Sequence, residues 1–421
     1  MNEEFLNYLW ANQLFKVDKT TEGEDFSVLN PGQRNKDSGP DFFNARIRIG
    51  DTSWAGNVEI HIHSSDWFRH RHDKNSSYDN IILHVLFEDD KPVRRKNNEI
   101  IPTIVLANKF DEHIFKMYDA FVRSTKWIAC EDSISSTNHF DRLAWFDTLM
   151  AERLEEKTQA VQKELDISEN DFHEVFYRKL ARNFGFNTNA DVFESLATSL
   201  PLRILAKHNN NLVQIEALLY GQAGLLGTKY TENYPEQLYK EYLFLSEKYN
   251  LKPIDSKRWK FMRMRPANFP TIRISQFANI IHRSSGLLHK MLETEKLINV
   301  VALFKTQAST YWTSHFRFGK KTSSKPKELG ASSINLLLIN TIIPFTFVYG
   351  KQTASDALME KSIHWLEEIK AENNSIIRNF KARGIQAQNA MQSQALIQLK
   401  NNYCDKKRCL DCRIGYLLLN G

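Results

Sequence analysis

Acidic and histidine side chains are concentrated between Pro40 and His84, and their types fit metal chemistry. The segment reads PDFFNARIRIGDTSWAGNVEIHIHSSDWFRHRHDKNSSYDNIILH. Carboxylates are the ligands that hard cations such as Mg²⁺ and Mn²⁺ prefer, and these cations keep positions open for water and a phosphate. The pattern therefore predicts a site in which Asp41 and Glu59 bind Mg²⁺ or Mn²⁺.

A predicted hairpin would bring the two carboxylates side by side. Residues 41–49 and 54–63 alternate between apolar and polar side chains, and the Gly-Asp pair between them favours a tight turn. A period of two puts Glu59, His61 and His63 on one face of the second strand and the intervening Val and Ile residues on the other. One face of this strand is thus predicted to carry chemistry and the other to be core.

The flanking sequence predicts the other elements of this domain. Apolar residues at helical spacing predict a helix over 3–15, and a short polar helix is predicted over 66–72. Further strands are predicted at 81–87 and within 100–108. Glu4, near the start of the first helix, is an acid of the kind that the helix dipole favours at an N-terminus.

The order Pro-Asp, hairpin and Glu-x-basic resembles the PD-(D/E)xK nuclease superfamily. That resemblance implies an α/β N-terminal domain with a restriction-endonuclease-like αβββαβ core. It also implies metal-dependent hydrolysis of phosphodiester bonds in DNA or RNA. The chain departs from the pattern at His61, where the superfamily carries a water-positioning lysine, so the resemblance implies that His61 orients or deprotonates the attacking water. An acid of the first helix often faces the metal in that superfamily, so the resemblance also implies that Glu4 completes the metal site.

Two other interpretations of the same segment remain open. One is a zinc metallohydrolase built on the acids and histidines of this segment, namely His61, His63, Asp66, His70 and His72. The other is a non-catalytic nucleic-acid-binding or assembly protein on a degenerate core. Plainer interpretations also remain: solvated loop histidines at 70 and 72, and a hydrogen-bonded core histidine at 84.

Composition limits the class of protein. The chain has 421 residues, 42% of them apolar, and a net charge of +6, so it can bury a large core and is no polycation. We expect two domains: residues 1–126, the α/β domain, and residues 127–421, a mainly α-helical domain. An acidic N-terminus and the expected absence of an apolar run near 18 residues predict a soluble, cytoplasmic chain.

A basic and aromatic segment in the helical region, WKFMRMRPANFPTIRISQFANIIHR, is the candidate partner site. Arg263, Arg265 and Arg273 suit contacts to the phosphates of a nucleic acid. The alternative is a buried turn in which the arginines pair with helix ends and carboxylates.

The cysteines have the spacing of metal ligands. The chain has four cysteines. Cys404, Cys409 and Cys412 form the motif C-x4-C-x2-C near the C-terminus, and Cys130 is the fourth. Four thiolates suffice for a tetrahedral zinc ion or for an iron–sulfur cluster. Reduced free thiols are the alternative.

Over its whole length the chain resembles domain of unknown function family 2851, uncharacterised proteins of Bacteroidetes. The motifs that carry this resemblance are NEEFLNYLW, NPGQRNKDSGPDF, GNVEIHIHSSDW, YDNIILHV, IEALLYGQAGLL, RMRPANFPTIRISQFA, SQALIQLKNNYC and CLDCRIGYLL. The family implies no activity.

Overall fold

The computed structural model describes residues 1–227, 229–284 and 286–421. The chain divides into two compact units. Unit 1 comprises Met1–Trp145 and Leu399–Gly421, and unit 2 comprises Phe146–Gln398.

Unit 1 is built on a mixed β-sheet. Its strands in chain order are β1 (Phe26–Asn30), β2 (Gln33–Arg34), β3 (Phe42–Ile49), β4 (Thr52–His63), β5 (Ile81–Glu88) and β6 (Thr103–Val105). The spatial order is β1-β3-β4-β5-β6, with β2 paired to β3. The pairs β1–β3 and β3–β4 are antiparallel, whereas β4–β5 and β5–β6 are parallel. In unit 2, β7 (His315–Arg317) and β8 (Lys320–Lys321) form a small hairpin.

Helices make up most of unit 2 and flank the sheet of unit 1. The first nine are α1 (Glu3–Ala11), α2 (Asp66–Arg69), α3 (Glu112–Arg123), α4 (His139–Ile167), α5 (Phe172–Phe184), α6 (Phe186–Ser199), α7 (Leu202–Ala206), α8 (Leu212–Gln222) and α9 (Asn233–Tyr249). The others are α10 (Pro270–Arg283), α11 (Leu287–Glu293), α12 (Leu297–Phe304), α13 (Ala331–Leu337), α14 (Ile343–Gln352), α15 (Asp356–Glu368), α16 (Ser375–Ala382), α17 (Ala390–Gln398) and α18 (Arg413–Asn420).

The central strands of unit 1 are buried on both faces. Val58 through His61 of β4 and Ile81 through Leu86 of β5 are all buried. Parallel strands that are covered on both sides read as near-continuous apolar runs, which is the pattern of β5. The predicted division of β4 into a core face and a chemical face is confirmed: Val58 and Ile60 belong to the hydrophobic core, and Glu59 and His61 lie on the other face, where they are buried as well.

Helix α1 covers this sheet with an apolar stripe. Phe5, Leu6, Leu9 and Trp10 are completely buried, and the indole N–H of Trp10 donates to the carbonyl of Pro31 at 3.0 Å. Asn2 caps the helix by accepting the backbone N–H of Phe5 at 2.9 Å. The helix ends at Ala11 rather than at the predicted residue 15.

The C-terminal segment belongs to unit 1, not to the helical unit as the predicted boundary at 126/127 implied. Leu410 and Leu419 are buried in the core of unit 1, and Asn420 donates to the hydroxyl of Tyr8 at 2.6 Å. Burial of these two leucine side chains stabilises the packing of the C-terminal segment in unit 1.

One continuous helical run, Ala331–Gln352, is long and apolar enough to span a membrane. It has 22 residues and a mean hydropathy of 1.6, so the expectation of no such run was wrong. Of its most apolar window, 61% is buried inside the protein, the pattern of a core helix. It includes a π-helical turn at Leu338–Ile342.

Candidate metal centre

Asp41 and Glu59 lie next to each other on neighbouring strands. The backbone N–H of Asp41 donates to Glu59 Oε2 at 3.2 Å, and the N–H of Ile60 donates to Asp41 Oδ2 at 2.9 Å. The β3–β4 register shifts between Phe42 and Ala45, where Asn44 has a φ of 56°. A bulge of this kind re-aims the side chains beside it. The prediction that the hairpin brings the two carboxylates together is confirmed.

Both carboxyl groups are held in an environment that disfavours their charge. Burial raises the pKa of Asp41 to about 7, and the nearby Glu59 adds to the shift. Burial likewise raises the pKa of Glu59 to about 8, although the hydrogen bond from the Asp41 N–H opposes it. A bound cation would offset this cost, because it favours the ionised form of each carboxylate.

Two histidines contact the Glu59 carboxylate, and a third joins them in a cluster. His61 Nε2 lies 3.5 Å and His72 Nε2 3.2 Å from Glu59 Oε1, and His70 Nδ1 lies 3.2 Å from His61 Nε2. One ring nitrogen from each of His61, His70 and His72 falls within 4.8 Å of the others. This set is the one group of three or more possible metal ligands so close together in the described residues.

A turn after α2 positions the rings of His70 and His72. Arg71 has a φ of 62°, a left-handed conformation that is uncommon for a residue with a side chain and that occurs at functional sites. It redirects the chain between His70, which is exposed, and His72, which is 9% exposed. The His72 ring stacks on Tyr78 with centroids 3.8 Å apart. The interpretation of His72 as a solvated loop residue was wrong.

His72 Nε2 has no hydrogen-bond partner among the described residues, although it lies near Glu59. The ring is close to the carboxylate but is not aligned with it for a hydrogen bond. A buried nitrogen lone pair left without a donor is costly unless a ligand fills the space, so the residues present fit a metal ion.

His61 is held in place from behind by His84. Their ring nitrogens Nδ1 and Nε2 lie 2.8 Å apart, and His84 is fully buried, as predicted for a core histidine. Burial, followed by the neighbouring imidazoles, lowers the pKa of His61 to about 2. Burial lowers that of His84 to about 3. Both rings are therefore neutral near pH 7, which is the form that binds metal ions.

The first-helix acid at this site is Glu3, not Glu4. Burial raises the pKa of Glu3, with opposing charge effects from His70 and His72. Glu4 instead influences the pKa values of Tyr118 and Cys409. Successive helical residues are rotated by about 100°, so the first turn of α1 aims only one of the two acids at the metal centre.

Two further residues of the predicted histidine cluster have other partners. His63 Nδ1 lies 3.7 Å from Glu88, at the end of β4. Asp66 is buried, accepts the backbone N–H of His63 at 3.2 Å and pairs with Arg69 at 3.0 Å. Both stabilise the turn into α2.

The predicted arginines of unit 2 have different surroundings. Arg263 and Arg265 are exposed. Arg273 is 5% exposed and donates to Asn268 at 2.6 Å and to Gln276 at 3.0 Å, so it is a structural residue and its prediction as a phosphate ligand was wrong.

Comparison with known proteins adds a family and no chemistry. A family model described as "Protein of unknown function (DUF2851)" matches residues 3–375. No curated protein matches the chain. No solved structure matches it either.

Proposed function

The chain belongs to the DUF2851 family of proteins of unknown function, and because that family assigns no chemistry we propose a function from the chain's own residues: metal-dependent hydrolysis of phosphodiester bonds in nucleic acid. The observation that carries the proposal is the pair of buried carboxyl groups, Asp41 and Glu59, beside three imidazoles. Such a set of oxygen and nitrogen donors is suited to a divalent cation.

The arrangement of unit 1 supports this proposal. A helix (α1) precedes three antiparallel strands (β1, β3 and β4), and a helical crossover leads to the parallel strand β5. This order resembles that of the PD-(D/E)xK core, in which Asp41 would enter the second of the three strands and Glu59 would lie on the third. His61 stands two residues after Glu59, where that core carries its lysine.

Each residue has a role set by its position. The cation, Mn²⁺ or Mg²⁺, would be held by Asp41, Glu59, His61 and His72. The two imidazoles favour Mn²⁺ over Mg²⁺. A cation bound there polarises a phosphate and lowers the pKa of water. His61 is too weak a base to take a proton near pH 7, so it orients the other ligands. His70, exposed and 3.2 Å from His61, is placed to accept the proton of the attacking water.

Zinc is a second candidate, favoured by the three clustered histidines. Three imidazole ligands with an open position are typical of catalytic zinc sites. In that case the chain is a zinc metallohydrolase and Asp41 is a supporting residue.

Unit 2 supplies a candidate surface for a polyanion. Arg317 lies over the rings of Phe261 and Phe269, at 4.4 and 5.3 Å from their centroids, so the β7–β8 hairpin packs on the segment that carries Arg263 and Arg265. Exposed arginines beside aromatic rings are typical of single-strand binding. If they contact phosphates, replacing Arg263 and Arg265 with Gln weakens binding and reduces its salt dependence.

Cleavage of labelled single- and double-stranded DNA and RNA tests the proposal. The wild type is compared with Asp41→Asn plus Glu59→Gln in Mg²⁺, Mn²⁺ and Zn²⁺, and the exposed pair Asp51→Asn plus Glu99→Gln is the control. We expect Mn²⁺-dependent cutting that the first variant loses and the control keeps. No cutting by the wild type, or equal cutting by the first variant, contradicts the proposal and favours a binding protein.

A further inference from the structure

All four cysteines of the chain converge in unit 1. Cys130 lies in the turn before α4, Cys404 ends the π-helical segment Leu399–Cys404, and Cys409 and Cys412 flank a tight turn closed by a 3.3 Å backbone hydrogen bond. Local sequence does not bring Cys130 to the other three, because they lie at the far end of the chain. The tertiary fold has gathered the complete set, and all four are free thiols.

The thiols are close enough to affect one another's charge. Burial raises the pKa of Cys130 to about 12, and Cys412 and Cys409 add to the shift. Burial also raises the pKa of Cys404, followed by the effects of the other three cysteines. Cys412 is buried and the other three cysteines are half-buried, and four thiols brought together in this way suit a cationic centre that binds them as thiolates.

Hydrogen-bond donors surround the innermost sulfur. Cys412 is 8% exposed and is the N-cap residue of α18, where the backbone N–H groups of Ile414 and Gly415 oppose the raising effect of burial on the pKa of its thiol. The buried indole N–H of Trp145 has no hydrogen-bond partner in the part of the chain that the structure describes, and it lies close enough to the Cys412 sulfur to lower the pKa of that thiol. Donors of this kind stabilise a thiolate and tune a bound metal. Gly415 is required here because a Cβ would collide with the carbonyl of Cys409.

We infer that Cys130, Cys404, Cys409 and Cys412 bind an iron–sulfur cluster. A tetrahedral zinc ion with Zn–S bonds of about 2.3 Å holds its sulfurs roughly 3.8 Å apart. Among the described residues no three cysteine sulfurs lie within 4.8 Å of one another. A [4Fe–4S] cluster binds each thiolate to its own iron and so spaces the sulfurs more widely.

The cluster has a structural role that follows from Asp411. This residue lies between Cys409 and Cys412 and pairs with Arg34 at 3.4 Å and with Lys36 at 3.1 Å. The loop that contains both cations leads into Asp41: the N–H of Asn35 donates to the Asp41 carbonyl at 2.7 Å. The cysteine turn therefore fixes the loop that positions a residue of the metal centre.

Metal and sulfide analysis of the full chain, purified without oxygen, tests the cluster. We expect about four iron and about four sulfide per chain, with a broad visible absorption. Single Cys→Ser changes should abolish both, whereas Trp145→Phe should keep the iron and shift the reduction potential. One colourless zinc per chain, or metal-free protein with four titratable thiols, overturns the inference. This readout is independent of hydrolysis at Asp41 and Glu59.

Hydrogen exchange tests the link through Asp411. Asp411→Asn should keep the iron and speed amide exchange at residues 33–41. The control is Asp405→Asn, in the preceding turn, which removes a pair with Lys400 instead. Removal of the cluster should speed exchange at the same residues. Unchanged exchange at 33–41 after both the Asp411 change and cluster removal overturns the structural role.

Discussion

At the scale of residues, the two raised carboxyl pKa values make the metal-free site sensitive to pH. The folded pKa values of about 7 and about 8 exceed the ordinary values of 3.8 and 4.5. The folded state therefore holds these protons more tightly than the unfolded chain. Their stabilising effect is complete below about pH 4 and is lost as the pH rises through 7 to 8.

The first prediction follows from that sign. Without metal, Asp41→Asn plus Glu59→Gln should melt several degrees higher than the wild type at pH 8.5, because the amides carry no buried charge. At pH 4.5 the two proteins should melt together. The measurement is calorimetry in a chelator, with Asp51→Asn plus Glu99→Gln as the exposed control. A variant that is equally or less stable at pH 8.5 contradicts the assigned burial.

The second prediction separates the histidines. His72→Gln should weaken Mn²⁺ and Zn²⁺ binding at least about tenfold, because it removes the unpartnered ring nitrogen beside Glu59. His63→Gln should leave binding unchanged, since its side chain is 44% exposed and faces Glu88. Calorimetric titration of both variants checks this. Equal losses would mean that the ligand set is wrong.

Sequence alone predicted that Asp41 and Glu59 lie side by side and that His61 shares the face of Glu59, because a two-residue period and a hairpin are local features. It did not predict Glu3, and it included His72 only in the alternative zinc cluster. Neighbouring residues of a helix point in directions about 100° apart, so the sequence did not show whether Glu3 or Glu4 faces the site. The left-handed residue Arg71 lies in a loop, where no periodicity shows the direction of the following His72 side chain. A buried histidine in a basic loop becomes visible only when the loop has folded over the strand.

At the scale of elements, close packing of β4 against β5 supports the metal centre. Gly56 on β4 faces the Ile82 side chain, with which an added Cβ would collide, and it would lie 2.8 Å from the Asn80 carbonyl oxygen. The strand can pass there only without a side chain.

A third prediction tests this packing. Gly56→Ala should lower the free energy of unfolding by about 1–3 kcal/mol, since overpacking forces the strands apart. Ala55→Ser, at the neighbouring exposed position, should change it little. Urea denaturation measures both. An unchanged free energy of unfolding in Gly56→Ala would show that β4 and β5 are not closely packed at Gly56.

The sequence predicted the long elements better than the short ones. Strands β3, β4 and β5 match their predicted ranges to within two residues, because alternation or apolar runs mark them. The strand β1, five residues long, and the two-residue β2 were not predicted, since so few residues in a turn-rich stretch carry no clear period.

At the scale of the whole molecule, the C-terminal segment completes unit 1. This return of the chain was not predicted from sequence, because the helical pattern of α18 does not reveal which core it covers. Leu419, 2% exposed, is buried in the core that includes α1 and the sheet.

A fourth prediction concerns this segment. Leu419→Ala should destabilise unit 1 by about 2–5 kcal/mol, since it leaves a cavity. Leu29→Ala, at a side chain that is 51% exposed, is the control and should have little effect. Hydrogen exchange at the β4 and β5 amides measures the change. Unaltered exchange in these strands would show that α18 is not part of their cooperative unit.

Direct titration with Mn²⁺, followed by electron paramagnetic resonance, tests the central claim that the acids and histidines of unit 1 bind one catalytic cation. We predict about one Mn²⁺ per chain at this centre, with nitrogen couplings from its imidazoles, and at least about tenfold weaker binding after either Asp41→Asn or Glu59→Gln. Wild-type protein that binds no Mn²⁺ or Zn²⁺, or variants that bind as tightly as the wild type, would contradict the account.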